Sequence, residues 1–159
     1  MKYDDVTFRR ARDETARISR VFAAIIPHTT CAAWLAPDTL AKLVDQQSTR
    51  GIVPVSYEHC ERTIFRAPGD NIAFRVWHDW RHITHRAEFD RAGETEAFLA
   101  QCADAEALRH RGGTFADLQA VKHLLRCEIL GQLDYHERTG EFPADQREFT
   151  AQWLNDNPL

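Results

Sequence analysis

The sequence predicts an all-α fold, a single compact bundle of about five to six helices with little or no strand. Apolar residues recur at helical spacing along most of the chain, and the candidate helices stop at breakers such as Pro27, Gly51 and Gly140. The 159 residues are 43% hydrophobic and 28% charged, which is typical of a globular protein. We therefore expect one helical domain over residues 1–159.

The breakers and capping residues place the individual helices. The expected segments begin near residues 4–5, 37, 71, 94, 114 and 143, and the first five end near residues 26, 50, 86, 109 and 138. Thr114 and Asp117 resemble a capping box at the start of the longest helix. Residues 52–66 have the weakest helical pattern, and Pro54 limits any strand there to a sheet edge. Any strand should be confined to that segment.

Charge and cysteine usage limit the classes of function. The formal net charge of −4 gives no basic field that would recruit nucleic acid. No run approaches the roughly 18 apolar residues of a membrane span, and no export signal is recognisable, so we expect a cytoplasmic protein. Its four cysteines are widely spaced and should be reduced, mostly buried thiols: Cys31, Cys60, Cys102 and Cys127.

A candidate metal site lies in the third expected helix. His78 and His82 are four residues apart, so their imidazoles share one helix face and can hold one ion. Zinc needs at least a third protein ligand, and Glu94, at the start of the next helix, can supply it across a short connection. Asp79 points about 100° away from His78. It either binds the ion directly or orients an imidazole or a water molecule.

These residues carry a resemblance to a known family. His78, Asp79 and His82, followed by eleven residues and Glu94, resemble the metal motif of the helical, zinc-binding member of the Coq family of ubiquinone-biosynthesis proteins. The resemblance is confined to this motif. It implies a largely helical protein that binds zinc or another divalent ion through these four residues. It also implies a link to processing the ring of a polyprenyl quinone precursor, which we do not carry over because nothing in the sequence marks an isoprenoid tunnel.

Glu128 is the second unusual residue. It interrupts an apolar stripe on the longest expected helix, where Leu125 precedes it by three residues and Gln132 follows it by four. A carboxylate in such a stripe is costly unless it meets a cation or hydrogen-bond donors. Either Glu128 is an additional ligand, a general base or an acceptor for an imidazole, or the stripe reaches the surface and Glu128 pairs with an arginine.

The sequence favours a metal-dependent enzyme of hydrolase or lyase type acting on a small organic substrate. A divalent ion, with zinc as the first choice, would act as Lewis acid or activate water, and Asp79 or Glu128 would transfer the proton. Two alternatives stay open: a non-catalytic interaction protein, such as a small inhibitor or adaptor from a mobile element, and a metal-free protein whose histidines hydrogen-bond each other. A protein partner and a homo-oligomer are both compatible with the sequence.

Overall fold

Helices make up most of the computed structural model, which describes residues 5–109 and 115–158. In chain order the helices are α1 (Asp5–Ala23), α2 (Leu40–Arg50), α3 (Pro68–His85), α4 (Arg91–Arg109), α5 (Phe115–Arg126), α6 (Gln132–Thr139) and α7 (Gln146–Asp156). A π-helical segment, Cys127–Gly131, joins α5 to α6 in one continuous helix. Counted in this way, the described part of the chain contains six helices, which confirms the predicted mostly helical fold.

The helix starts differ from the predicted ones by a few residues. Pro68 occupies the first turn of α3, where its missing N–H costs nothing, so the helix begins before Asn71. The helices α2 and α7 begin after the predicted prolines because Thr39 and Asp145 cap them by accepting hydrogen bonds from backbone N–H groups. The predicted capping box at Thr114 lies outside the described residues.

A two-stranded parallel sheet corrects one prediction. Strand β2 (Val53–Ser56) lies in the predicted segment, but its partner β1 (His28–Cys31) does not, so confining strands to residues 52–66 was wrong. The β-branched pair at the centre of β1 follows Pro27, where the helical pattern stops, and α2 supplies the crossover that parallel pairing needs. Pro54 lies in a strand with a single neighbour, as predicted.

Helix α3 lies between two apolar clusters. Trp77 belongs to the larger cluster, built mainly from α1, α3, α4 and α5, and Val76 belongs to the smaller one beneath the sheet. Asp104 of α4 accepts a hydrogen bond from the Trp77 indole at 2.7 Å and two from the Arg81 guanidinium at 2.6 Å. These bonds fix α3 against α4, and the face of α3 that carries the histidines points toward α4. All four cysteines are unpaired, and three of them are buried.

Candidate metal centre

Three polar side chains converge where α3 faces the start of α4. The Nε2 atoms of His78 and His82 lie 3.0 Å apart. The Glu94 carboxylate lies 3.1 Å from His78 Nε2 through one oxygen and 3.5 Å from His82 Nε2 through the other. Among the described residues these three form a group whose ligand atoms all lie within 4.8 Å of one another. The structure therefore brings together three of the four predicted ligands.

The spacing of these atoms suits a small divalent ion. Ligand atoms held about 2.0–2.1 Å from one tetrahedral zinc lie roughly 3.3 Å from each other. The two histidine Nε2 atoms, 3.0 Å apart, are close to that value. One Glu94 oxygen lies 3.1 Å from His78 Nε2 and the other lies 3.5 Å from His82 Nε2, so the carboxylate is at the same range from both imidazoles through different oxygens. Two imidazole nitrogens and one carboxylate oxygen are also a ligand set typical of zinc. The group can hold such an ion with small side-chain adjustments.

The outer ring nitrogens of both histidines are already hydrogen-bonded. His82 Nδ1 lies 2.8 Å from the backbone oxygen of Ala87, and His78 Nδ1 lies 2.9 Å from Gln101 Oε1. Since a carbonyl oxygen can only accept, each Nδ1 carries a hydrogen and each Nε2 is left to bind a proton or an ion. The Gln101 amide nitrogen is buried without a hydrogen-bond partner among the described residues. Leaving this donor unpaired lowers the stability of the fold, and it accompanies the use of the Gln101 oxygen to hold His78.

The backbone on both sides of the connection between α3 and α4 determines where these groups lie. Arg86 adopts a left-handed conformation with φ 54°, which ends α3 and turns the Ala87 carbonyl toward His82. At the start of α4, a Cβ on Gly93 would lie 1.9 Å from the backbone oxygen of Glu88. Only glycine permits this approach, and the next residue is Glu94. Both features bring a short connection back over the histidines.

The charges in the group compensate one another. Burial by itself lowers the pKa of His78, but the hydrogen bond and charge of Glu94 outweigh burial and raise that pKa to about 9. Burial by itself raises the pKa of Glu94, but hydrogen bonds and charges from His78 and His82 lower it to about 2. Without a metal ion, the group therefore contains an imidazolium–carboxylate pair, with a proton where a cation could bind.

The group borders a large cavity. His78 and Glu94 line a cavity of about 840 Å³, whereas the ring of His82 is fully buried behind them. Apolar side chains from α3, the π-helical segment, α6 and the chain before α7 form much of the wall, including Phe74, Ile129, Leu133, Phe142 and Pro143. A volume of this size accommodates a small organic molecule.

Glu128 lines the same cavity from the π-helical segment and is 8% exposed. It is not one of the three grouped ligands. Gln132 Nε2 donates to one of its oxygens at 3.0 Å, and Thr150 Oγ1 donates to the other at 2.7 Å. Burial outweighs these two bonds and raises the pKa of Glu128 to about 7. The surface position paired with an arginine, one of the alternatives left by the sequence, is therefore wrong.

Asp79 occupies a different position from the other predicted ligands. Its carboxylate is not in the three-residue group, and Asp79 is not part of the cavity wall among the described residues. Burial and the charge of Glu94 raise the pKa of Asp79 to about 6, although His78 and His82 act in the opposite direction. Its direct coordination and proton-transfer roles stay predictions. His85, one turn further along α3, is exposed, and its ring lies 3.5 Å from the Glu96 carboxylate.

Sequence reasoning missed three groups that support the site. Gln101 lies seven residues after Glu94, two helical turns along the same face of α4, and that spacing is a signal that could have identified it. The Ala87 carbonyl and the Thr150 hydroxyl carry no comparable local signal, because their roles depend on a backbone turn and on the docking of α7.

No protein-family model, curated protein or solved structure matches this chain. In the part of the chain that the structure describes, no helix combines the length and apolar character needed to cross a membrane.

Proposed function

We propose that this chain is a metal-dependent enzyme of hydrolase or lyase type that acts on a small organic substrate in the cavity. His78, His82 and Glu94 would bind one divalent ion, and zinc is the ion that their donor atoms favour. The observation that carries the proposal is the convergence of three ligand atoms at the wall of an 840 Å³ cavity. The resemblance of residues 78–94 to the Coq metal motif supports the same ligands.

An ion at this position would supply Lewis acidity and lower the pKa of a bound water. Three protein ligands leave a coordination position for a water molecule or a substrate atom, as in catalytic rather than structural zinc sites. His78 and Glu94 border the cavity, whereas His82 anchors the site from behind. Gln101 and the Ala87 carbonyl would hold the two imidazoles in the tautomer that presents Nε2.

Two observations favour an enzyme over a structural ion in an interaction protein. A structural zinc site usually has four protein ligands, but the group among the described residues contains three. A site that only joined helices would also not need to border a cavity of this volume. The 3.0 Å contact between His78 and His82 suits a shared proton as well as an ion, so a metal measurement must decide between them.

The experiment uses the full chain purified without a histidine tag. Elemental analysis should find about one divalent ion per chain, removable by a chelator and restored by added zinc. The double variant His78→Ala, His82→Ala should lose that ion. The matched control, His28→Ala with His85→Ala, removes two exposed histidines outside the group and should keep it.

A metal content that is unchanged in the His78→Ala, His82→Ala variant would refute the site. A wild-type chain that binds no ion after incubation with zinc would favour the metal-free alternative, in which the histidines share only a proton.

A further inference from the structure

Glu128 is a buried acid, and no described residue is its cationic partner. Its two hydrogen-bond partners, Gln132 and Thr150, are neutral, and no charged side chain accounts for the shift in its pKa. A carboxyl group buried in this way costs stability, whereas an apolar side chain of similar volume would pack without that cost. Glu128 therefore needs an explanation beyond packing, and its place in the cavity wall offers one.

The local backbone is unusual where Glu128 lies. The π-helical turn Cys127–Gly131 contains one more residue per hydrogen-bonded turn than an α-helix, and such turns occur frequently at functional sites. A Cβ on Gly131 would lie 2.8 Å from Trp153 Nε1, so this glycine allows α7 to pack closely. Close packing of α7 places Thr150 against Glu128. The fold thus holds one face of the carboxyl group fixed.

The two fixed bonds leave Glu128 with unused hydrogen-bonding capacity. Each carboxyl oxygen has two lone-pair positions, and Gln132 and Thr150 occupy one position on each oxygen. A proton or a substrate atom can use a remaining position from the cavity side. This is the arrangement expected of a positioned proton donor and acceptor, because its orientation is fixed and its outer face is free.

We propose that Glu128 is the acid–base residue of the cavity, and that it carries a proton from an attacking water to the leaving atom of a carbonyl compound bound between it and the group of His78, His82 and Glu94. This inference rests on the proposed function, because it takes the second reaction partner to be a water molecule at that group. The substrate class would be an ester or amide whose leaving oxygen or nitrogen must accept a proton.

The proton transfers balance without any added reagent. Glu128 as carboxylate takes a proton from the attacking water while the water oxygen forms a bond to the carbonyl carbon. The π pair of the carbonyl bond moves onto the carbonyl oxygen in this step, and it re-forms the carbonyl bond when the leaving group departs. The bond from that carbon to the leaving oxygen or nitrogen then breaks, and Glu128 returns the proton to the leaving atom. The net reaction adds water across one bond and restores Glu128 to its starting form.

Other titratable side chains lie near Glu128, and their ionisation can also change with pH in the experiment described below. Cys127 is its chain neighbour, and burial together with the Glu128 charge raises the pKa of that thiol. The remaining charged or titratable side chains of the cavity wall are His59, Glu61, Arg62, Arg75, His78, Glu94 and Glu141. Two of these, Glu61 and Glu141, are exposed carboxylates that serve as internal controls.

The test is carbodiimide labelling of the full-length protein from pH 5 to pH 9, with glycinamide as the trapping amine and peptide mass spectrometry as the readout. Carbodiimides activate protonated carboxyl groups that reagent can reach. Labelling of Glu128 should persist to a midpoint near pH 7 and then fall about 10-fold per pH unit, whereas solvated carboxylates are ionised well below that pH. The metal-free protein is measured first, so the result does not depend on a metal.

Two further measurements test whether the labelled carboxyl group is the one in the cavity wall. Zinc loading should lower the labelling midpoint of Glu128, because a dication in the same cavity favours the carboxylate. Thr150→Val removes a hydrogen bond that stabilises the carboxylate, so its midpoint should move to higher pH. A sealed, purely structural acid would not be labelled in any of these proteins.

Absence of label on Glu128 in folded protein that is labelled at Glu61 and Glu141 would overturn the inference. Labelling of Glu128 that already falls about 10-fold per pH unit from pH 5 upward, as for a solvated carboxylate, would also overturn it, because Glu128 would then hold almost no proton near neutral pH. Zinc analysis of the same samples separates the two proposals. A chain that labels as expected but binds no zinc would refute the metal centre and leave the accessible acid of Glu128 supported.

Discussion

Glu94 and Glu128 line the same cavity, but their surroundings are opposite in character. Glu94 faces two imidazoles, and the pKa of its carboxyl group falls to about 2. Among the described residues, Glu128 is hydrogen-bonded to an amide and a hydroxyl, and its pKa rises to about 7. Two carboxyl groups with such different pKa values can perform different tasks in one site. One is suited to binding a cation, and the other to holding a proton.

The two carboxylates also differ in whether a positive charge nearby balances their negative charge. The charge of Glu94 is balanced within its own cluster by His78. The charge of Glu128, when it forms, is balanced by no nearby cation in residues 5–109 and 115–158, so the folded state resists losing that proton. The comparison predicts that one cluster responds to metal and the other to pH.

The largest expected effect is on the pH dependence of stability. The pKa of Glu128 is about 7 in the folded state, against an ordinary value of 4.5, so folding favours the protonated form. Its contribution to stability is fully present below about pH 4.5 and is lost as the pH rises through 7. Glu128→Gln removes this dependence. Its free energy of unfolding relative to wild type should therefore increase by about 3 kcal/mol between pH 4.5 and pH 8.

Chemical denaturation in the presence of a chelator measures this difference, and Glu141→Gln, at an exposed position of the cavity wall, is the matched control. If the wild-type and Glu128→Gln stabilities stayed parallel across this pH range, Glu128 would not be the unbalanced acid that the comparison requires.

A second prediction concerns the turn that positions Glu94. Gly93→Ala would place a methyl group 1.9 Å from the Glu88 carbonyl oxygen, so the connection must shift. We expect a loss of about 2 kcal/mol in unfolding free energy, as for other overpacked positions, together with weaker zinc binding. Gly69→Ala, in the first turn of α3, meets nothing within 4 Å and should change neither quantity appreciably. Similar thermal unfolding and zinc titrations for both variants would mean that this close approach does not position the ligand.

The third prediction separates a metal ligand from an ordinary helix-start charge. Glu94→Gln keeps the size of the side chain but removes its negative charge, so zinc affinity should fall 10-fold or more, about 1.4 kcal/mol. Calorimetric titration with zinc gives the value. Glu96→Gln changes an exposed carboxylate in the same helical turn and should leave affinity unchanged. If Glu94 only interacted with the helix dipole, its loss would cost about 0.3–1 kcal/mol of stability and no affinity.

The parts of the molecule that could be predicted from sequence are those set by local spacing. Residues four apart on α3 had to share a face, and a short connection could return Glu94 to them. The sequence identified Glu128 as a residue that is costly to bury. One of its hydrogen-bond donors, Gln132, lies one helical turn away and could be predicted from spacing. The other, Thr150, comes from α7, and no local pattern predicts how that helix docks. Strand β1 was missed because four residues of a two-stranded sheet carry almost no periodic signal.

We expect His78, His82 and Glu94 to bind one ion that is open to the cavity, and anomalous diffraction from crystals of the zinc-loaded protein would locate that ion. One peak should lie about 2.0–2.2 Å from both histidine Nε2 atoms and a Glu94 oxygen, with the remaining coordination position facing the cavity. A zinc peak at another place in the protein, or an ion enclosed by four protein ligands, would contradict this expectation.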